Sequence, residues 1–252
     1  MKITVTQKNI SSISDLISHL KDDFSVSNTN IWYRGQSHKS WDLVPGFHRG
    51  NNLTSESNLL KRFKQSASML LDKDPVNSFS WMFLMQHYGL PTRLLDWSES
   101  PLISLYFALE DYEKYPNTDA ILWCLKPTEL NNEANIKIVD ENNFIPSFDD
   151  EDIITSYAIE SVNSTRIGMN PIAVIATRNN PRIQAQQGVF TIHHKDKIAI
   201  NNLANTENFL TSYIISSDDR LKVLLELKTL GFSKFSLFPE LSSISEHIKQ
   251  GF

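Results

Sequence analysis

Apolar residues recur at helical spacing through much of the first 112 positions and in short β-like runs after position 120. Ile13, Leu16, Ile17 and Leu20 fall on one stripe, and Ser11 or Ser12 stands where a helix cap is needed. An opening strand is expected before that helix. Ile31, Trp32 and Tyr33 have the β-branched and aromatic character of a strand, and Gly35 permits a turn after it. Helices are expected over Thr54–Leu71, with Leu59, Leu60, Phe63, Ala67 and Leu70 on one side, then over Ser78–Tyr88 and Pro101–Tyr112. Pro101 suits a first helical turn, where its missing N–H does no harm. The later runs Ala120–Leu125, Ile136–Val139, Ile172–Ile175, Val189–Ile192 and Tyr213–Ile215 read as strands. Residues 140–152 are acidic and polar and read as a loop. Asp218 or Asp219 opens a helix over Leu221, Leu224, Leu225 and Leu227 that ends at Gly231. Ser242–Gln250 is the last amphipathic helix. Helices first and strands afterwards give an α+β class, a helix-rich N-terminal half packed on a mostly antiparallel sheet from the C-terminal half.

The densest polar chemistry lies between two apolar helices, in Leu84–Leu109. Gly89 just past a helix and Pro91 two residues later form a stop signal, because Gly tolerates positive φ and Pro cannot continue the ladder. His87 and Tyr88 therefore occupy the last helical turn. Thr92, Arg93, Asp96 and Trp97 follow on an expected loop, supplying an acceptor, donors and a stacking surface within a few residues. Buried charges must find partners, so these groups satisfy either one another or a ligand.

Composition narrows the function without choosing it. With 24 basic and 29 acidic residues the net charge is −5, which disfavours duplex nucleic acid as the default partner. Hydrophobic residues are 40% and charged residues 21% of the chain, a balance for a packed core; one domain over residues 1–252 is expected. Cys124 is the single cysteine, so no disulfide framework and no cysteine metal cluster can form. The N-terminus lacks a signal-peptide core and no run approaches membrane-spanning length, which points to a cytoplasmic protein with no membrane partner. The seven histidines show no metal-ligand spacing, and His193-His194 is an adjacent pair whose side chains diverge on a strand. No metal is expected.

Several residues carry two readings at once. Arg34 before Gly35 can hold a phosphate or a ribose hydroxyl with its planar fork while Gly35 lets a ligand approach the backbone; it can equally pair with Asp96 to fix a loop. His87 and Tyr88 can clamp a flat ring, or His87 can cap its helix. Gln184 and Gln186 are placed on one face of a strand leading to Gly188, and Gln187 on the other. Gln186 can hydrogen-bond a ribose but cannot serve as a base. No Gly-rich phosphate loop or GxSxG elbow occurs.

The segment HYGLPTRLLDWSESPLISLYFA closely resembles the signature of the FRG domain, a bacterial module. The motif that names it is similar to Trp32-Tyr33-Arg34-Gly35-Gln36, with Tyr33 in place of Phe. Trp41-Asp42-Leu43-Val44-Pro45 and Arg49, then Arg182–Phe190, then Phe235–Leu241, resemble its further blocks, so the resemblance runs from about Trp32 to Leu241. The order of blocks resembles that of the ADP-ribosyltransferase superfamily. That resemblance implies an ADP-ribosyltransferase-like fold and NAD as cofactor. It implies ligand binding by Tyr33, Arg34, Gly35, Gln36, His87, Tyr88, Thr92 and Arg93, with Asp96 and Gln186 at the catalytic positions. Gln186 stands where the superfamily carries Glu, and an amide stabilises the developing ribose charge far less well than a carboxylate. An NAD-consuming effector, of toxin or phage-defence kind, is thus weighed against a non-catalytic nucleotide- or nucleic-acid-binding sensor and against a structural interaction module.

Overall fold

The strands are β1 (Thr6–Ile10), β2 (Trp32–Gln36), β3 (Leu94–Ser98), β4 (Ala120–Leu125), β5 (Ile172–Val174), β6 (Gly188–Ile192) and β7 (Leu210–Ile215). They pair in one sheet in the order β1-β7-β4-β2-β3-β6-β5. Among the described strands only β1 and β7 run parallel, and the other strand pairings are antiparallel. The computed structural model describes residues 5–24, 30–50, 54–138, 144–176, 178, 180–240, 243 and 248. The helices are α1 (Ile13–Phe24), α2 (Gly46–Arg49), α3 (Glu56–Ala67), α4 (Ser78–His87), α5 (Pro101–Leu109), α6 (Pro127–Glu133), α7 (Glu151–Ile154), α8 (Pro181–Ala185), α9 (Thr206–Phe209), α10 (Arg220–Thr229) and α11 (Lys234–Leu237). The α+β class and mostly antiparallel sheet match the sequence reading, but strands β1 to β4 come from the first half of the chain.

Alternation on β4 divides the core. Ala120, Leu122 and Cys124 pack beneath α1, α5 and α10, against Leu16, Leu105 and Leu224. Ile121, Trp123 and Leu125 pack on the opposite face with Trp32, Leu43 and Trp97. Both faces of this central strand are buried, as a continuous apolar run requires. Helices α3 and α4 close a third cluster over β6 and β5, where Met82 and Met85 meet Leu94, Ile172 and Ile192. Burial drives the lone thiol of Cys124 well above the usual range for cysteine.

Helix ends follow local chemistry. The Ser12 hydroxyl accepts from the Asp15 N–H at 3.1 Å, and Ser100 accepts from Ile103 with Pro101 behind it. Gly89 and Gly231 take positive φ just beyond α4 and α10, and the Leu90 and Phe232 amides bond back to Met85 and Leu227. Asp219 precedes α10 without capping it through its side chain; its carboxylate accepts from the Ser216 hydroxyl instead.

Three expectations change. Leu94–Ser98 is strand β3, five residues paired with β6, because Leu95 and Trp97 alternate into the core while Asp96 stays exposed. Gln184 lies in the short helix α8 and Gln186 ends it; Gln187 has φ +47°, and the strand begins only at Gly188. The helix read those glutamines first because Asn180 caps it and Pro181 starts it. Ile136 and Lys137 form no strand, since the Ile136 amide folds back onto the Asn131 carbonyl behind α6; Val139 lies outside the described residues. Most of the expected helix over 242–250 also lies outside them.

Candidate functional site

Strands β2 and β3 share a single paired position, Tyr33 opposite Ser98. Beyond it Arg34, Gly35, Gln36 and Ser37 line one side of a cleft, and Asp96 and Trp97 line the other. The cleft holds about 280 Å³. A sheet that parts between neighbouring strands leaves backbone and side-chain polar groups facing solvent or a ligand rather than each other.

Arg34 is the centre of this cleft. Its Nη1 donates to the Asp96 carbonyl at 2.5 Å and stands 4.0 Å from the Asp96 carboxylate. The Arg34 side chain is 16% exposed and that of Asp96 63%, so the ion pair is loose and open to water. Arg34 Nε is buried with no hydrogen-bond partner. Burial pulls the guanidinium down to about 10, the Asp96 charge opposing and Arg49 assisting, which still leaves it charged at neutral pH. Asp96 Oδ1 accepts from Gln86 at 2.8 Å.

Two further arginines reach the same cleft, Arg49 and Arg182. Arg182 lies over the Phe238 ring at 4.7 Å. Phe238 in turn meets Phe107 edge to face at 5.8 Å. Trp41, 39% exposed, lines the cleft and packs against Tyr115 at 5.2 Å. Glu110 and Asp111, at the C-terminal end of α5, complete the wall. Burial, then the neighbouring Asp111, pushes the Glu110 carboxyl up to about 7, with Lys234 and Lys114 opposing; the negative end of the α5 dipole acts in the same sense.

Gly35 has a different role from the one its sequence position suggests. A Cβ there would lie 1.9 Å from the Ser104 carbonyl oxygen and 2.6 Å from the Ala108 amide nitrogen. Helix α5 therefore sits directly on β2, and the Ser104 hydroxyl donates to the Tyr33 carbonyl at 2.8 Å. The glycine admits a helix, and through it places Phe107 and Glu110 at the cleft.

The remaining expected site residues divide. Tyr33, Arg34, Gly35, Gln36, Asp96 and Gln186 line the cleft. Gln36 is nonetheless committed to the core, accepting from the Trp123 indole at 2.8 Å. Gln186 donates through Nε2 to the Leu237 carbonyl at 3.1 Å, joining α8 to α11. His87 lies in an adjoining hollow shared with Asp96, Arg182 and Gln186, and burial with Arg182 nearby lowers its pKa. Tyr88 is largely exposed and faces a separate groove with Pro75 and Val76.

Thr92 and Arg93 do not reach the cleft. Arg93, 2% exposed, pairs with Glu56 through Nε at 2.5 Å and donates to the carbonyls of His193 and Tyr157, each at 2.6 Å. Thr92 is fully buried and donates to Gln86. The two are interior ties, and convergence of Arg93 with Arg34 is not found, because β3 passes Arg93 to the interior below its own N-terminal end. Trp97, read from the sequence as a stacking surface, is buried, as is Trp123, and the Trp97 indole donates to Thr191 at 3.0 Å. Phe107 is half-buried and lines the cleft.

Sequence reasoning overlooked Glu110, Asp111 and Phe238 as site residues, and gave Trp41, Arg49 and Arg182 no role. The signal for Glu110 was available: it is the first charged residue after an unbroken apolar helix. Among the described residues no group of three or more His, Cys, Asp or Glu side chains is placed to hold a metal ion, and no helix is long and apolar enough to cross a membrane.

Neither curated proteins nor solved structures return a match to the chain. A family model does, over residues 29–117. That span carries β2, Trp41, Arg49, β3 and α5, and so both walls of the split between β2 and β3. The blocks around Arg182 and Phe238 lie beyond it. The matched family is the FRG domain, and the cleft is built largely from the segment that matches it.

Proposed function

We propose that the cleft binds an anionic nucleotide, with NAD the first ligand to try. The observation that supports this reading is the meeting of Arg34, Arg49 and Arg182 with an exposed Trp41 in one concave site. Guanidinium forks match phosphate oxygens, and the Trp41 indole, stacked on His38 at 5.7 Å, adds an aromatic surface beside them. A buried Arg34 Nε without a partner supports it too, since native buried donors ordinarily find acceptors. The volume, about 280 Å³, sits at the small end for ligand pockets. That size favours a mononucleotide or one half of a dinucleotide over a nucleic-acid strand, so short RNA serves as the contrasting probe.

Isothermal titration of NAD, ADP-ribose, ATP and short RNA tests the reading. Arg34→Ala should weaken nucleotide affinity at least tenfold, about 1.4 kcal/mol, while the melting temperature stays near that of the native protein. Failure of every nucleotide to bind refutes it.

A second reading, cleavage of NAD by an ADP-ribosyltransferase-like effector, draws on Asp96. Its carboxylate opens onto the cleft 4.0 Å from Arg34, where it can stabilise positive charge developing on a ribose. Gln186, tied to Leu237, is poorly placed for that task. Asp96→Asn should then retain NAD binding and lose nicotinamide release; native protein that binds NAD without releasing nicotinamide leaves the sensor reading.

A further inference from the structure

The groove that Tyr88 faces has a largely apolar lining, to which Phe83, Leu84, Phe148, Ile183, Pro75 and Val76 contribute. It holds about 500 Å³, and Phe83 meets Phe148 edge to face at 4.5 Å, a packed aromatic pair in its wall. Val76 is 93% exposed, and the charged residues of the lining, Lys73, Asp74 and Asp149, are exposed as well. Between this groove and the arginine cleft lies the hollow at His87, of about 50 Å³. Phe83, His87 and Ile183 line both the hollow and the groove, while Arg182 and Gln186 line both the hollow and the cleft. Consecutive residues of α8 therefore serve the two ends, Arg182 with charge and Ile183 with apolar surface. A hollow of that size has room for a few water-sized groups. A single narrow chain can cross it, whereas a helix of a protein partner, about 10–12 Å across, cannot.

We propose that the groove takes the apolar chain of an amphiphilic nucleotide, whose phosphates lie at the cleft arginines and whose linker crosses the hollow beside His87. An acyl-coenzyme A has this chemistry: a nucleotide, a narrow linker and an acyl chain, in that order. The inference rests on the nucleotide reading above and adds to it the group joined to the phosphates. The two ends complement such a ligand better than either of its halves. A bare nucleotide leaves the apolar groove facing water, and a free fatty acid brings one carboxylate to a site with three arginines. Each methylene moved from water into the groove should strengthen binding roughly fourfold.

Affinities of ATP, coenzyme A, octanoyl-coenzyme A and sodium octanoate are to be measured by calorimetry for the native protein, Val76→Asp and Ile183→Ser. The native protein should bind octanoyl-coenzyme A at least tenfold more tightly than coenzyme A, and octanoate far more weakly than either. Val76→Asp, at a fully accessible position, should bring the ratio of the two coenzymes close to one while ATP binds as before. Ile183→Ser should reduce the ratio as well, from the inner end of the groove. Equal affinity for coenzyme A and octanoyl-coenzyme A in the native protein overturns the inference and leaves the nucleotide reading intact. So does a ratio unchanged in both variants. A native dimer in sedimentation that Val76→Asp dissociates would assign the groove to a second copy of the chain, and overturns the inference too. No binding of ATP or of either coenzyme removes the nucleotide reading, and this inference with it.

Discussion

Replacing Arg93 by Ala removes a charge that the interior is built around. The side chain is 2% exposed and its partner Glu56 5%. The substitution strips Glu56 of its ion pair, leaving its carboxylate only the Arg93 backbone amide at 3.0 Å. It also frees the carbonyls of His193 and Tyr157, both bonded at 2.6 Å in the native protein. Breaking a buried pair by removing one member costs about 3–5 kcal/mol, chiefly because the other charge stays buried and uncompensated. Domains of ordinary stability have about 5–15 kcal/mol in all, so the loss is a large share of the total. For a chain of this size each kcal/mol lowers the melting temperature by roughly 2–4 °C, giving a fall of roughly 6–20 °C. Urea denaturation at 25 °C followed by tryptophan fluorescence reads the difference directly. The control is Arg34→Ala, whose loose pair with an exposed Asp96 is worth about 1 kcal/mol or less. Glu56→Gln combined with Arg93→Met should recover part of the loss, since no charge is then stranded. An Arg93→Ala protein within about 1 kcal/mol of the native one would refute the assignment of Arg93 to the interior framework.

Gly35→Ala places a methyl group 1.9 Å from the Ser104 carbonyl oxygen, so α5 must lift from β2; overpacking of this kind costs about 1–3 kcal/mol or more, and an unchanged melting temperature would contradict the close approach. His48 and His193 meet edge to face at 5.9 Å, and burial lowers them to about 4 and about 3. A base depressed in the folded state binds fewer protons there than in the unfolded chain, so its contribution is fully present above pH 6.5 and is lost as pH falls towards 4. The urea midpoint should therefore drop between pH 7 and pH 5, less so in His48→Phe; a midpoint that is flat over that interval argues against buried neutral histidines.

Periodicity made most of the secondary structure legible. The stripes of α1, α3, α4 and α5, the cap at Ser12, the glycine stops at Gly89 and Gly231 and the apolar runs of β4, β6 and β7 all rest on interactions within a few residues or on the alternation of one strand. The motif blocks were equally local, and the matched segment, residues 29–117, contains the tryptophan, arginine and aspartate that face each other across the cleft. Local pattern misled where two elements compete over a short span: Leu94–Ser98 read as a polar loop because Asp96 interrupts it, yet β6 supplies the pairing that makes it a strand.

The sequence by itself determined which residues could be helical, which could be strands, and that a polar constellation lay between two apolar helices. It could not determine which of two arginines, 34 or 93, faces inward, because both are flanked by apolar and aromatic residues and both have carboxylates within reach of some fold. Only the tertiary structure decided that Glu56, 37 residues away in sequence, neutralises Arg93. The parting of β2 from β3 likewise leaves Arg34 at the cleft, and the packing of α5 on Gly35 brings Glu110 to its wall. Those choices depend on strand order and helix placement, contacts between distant segments that no periodicity encodes, and a charged side chain becomes a core tie or a ligand contact according to whether the fold supplies its partner or leaves it facing open space.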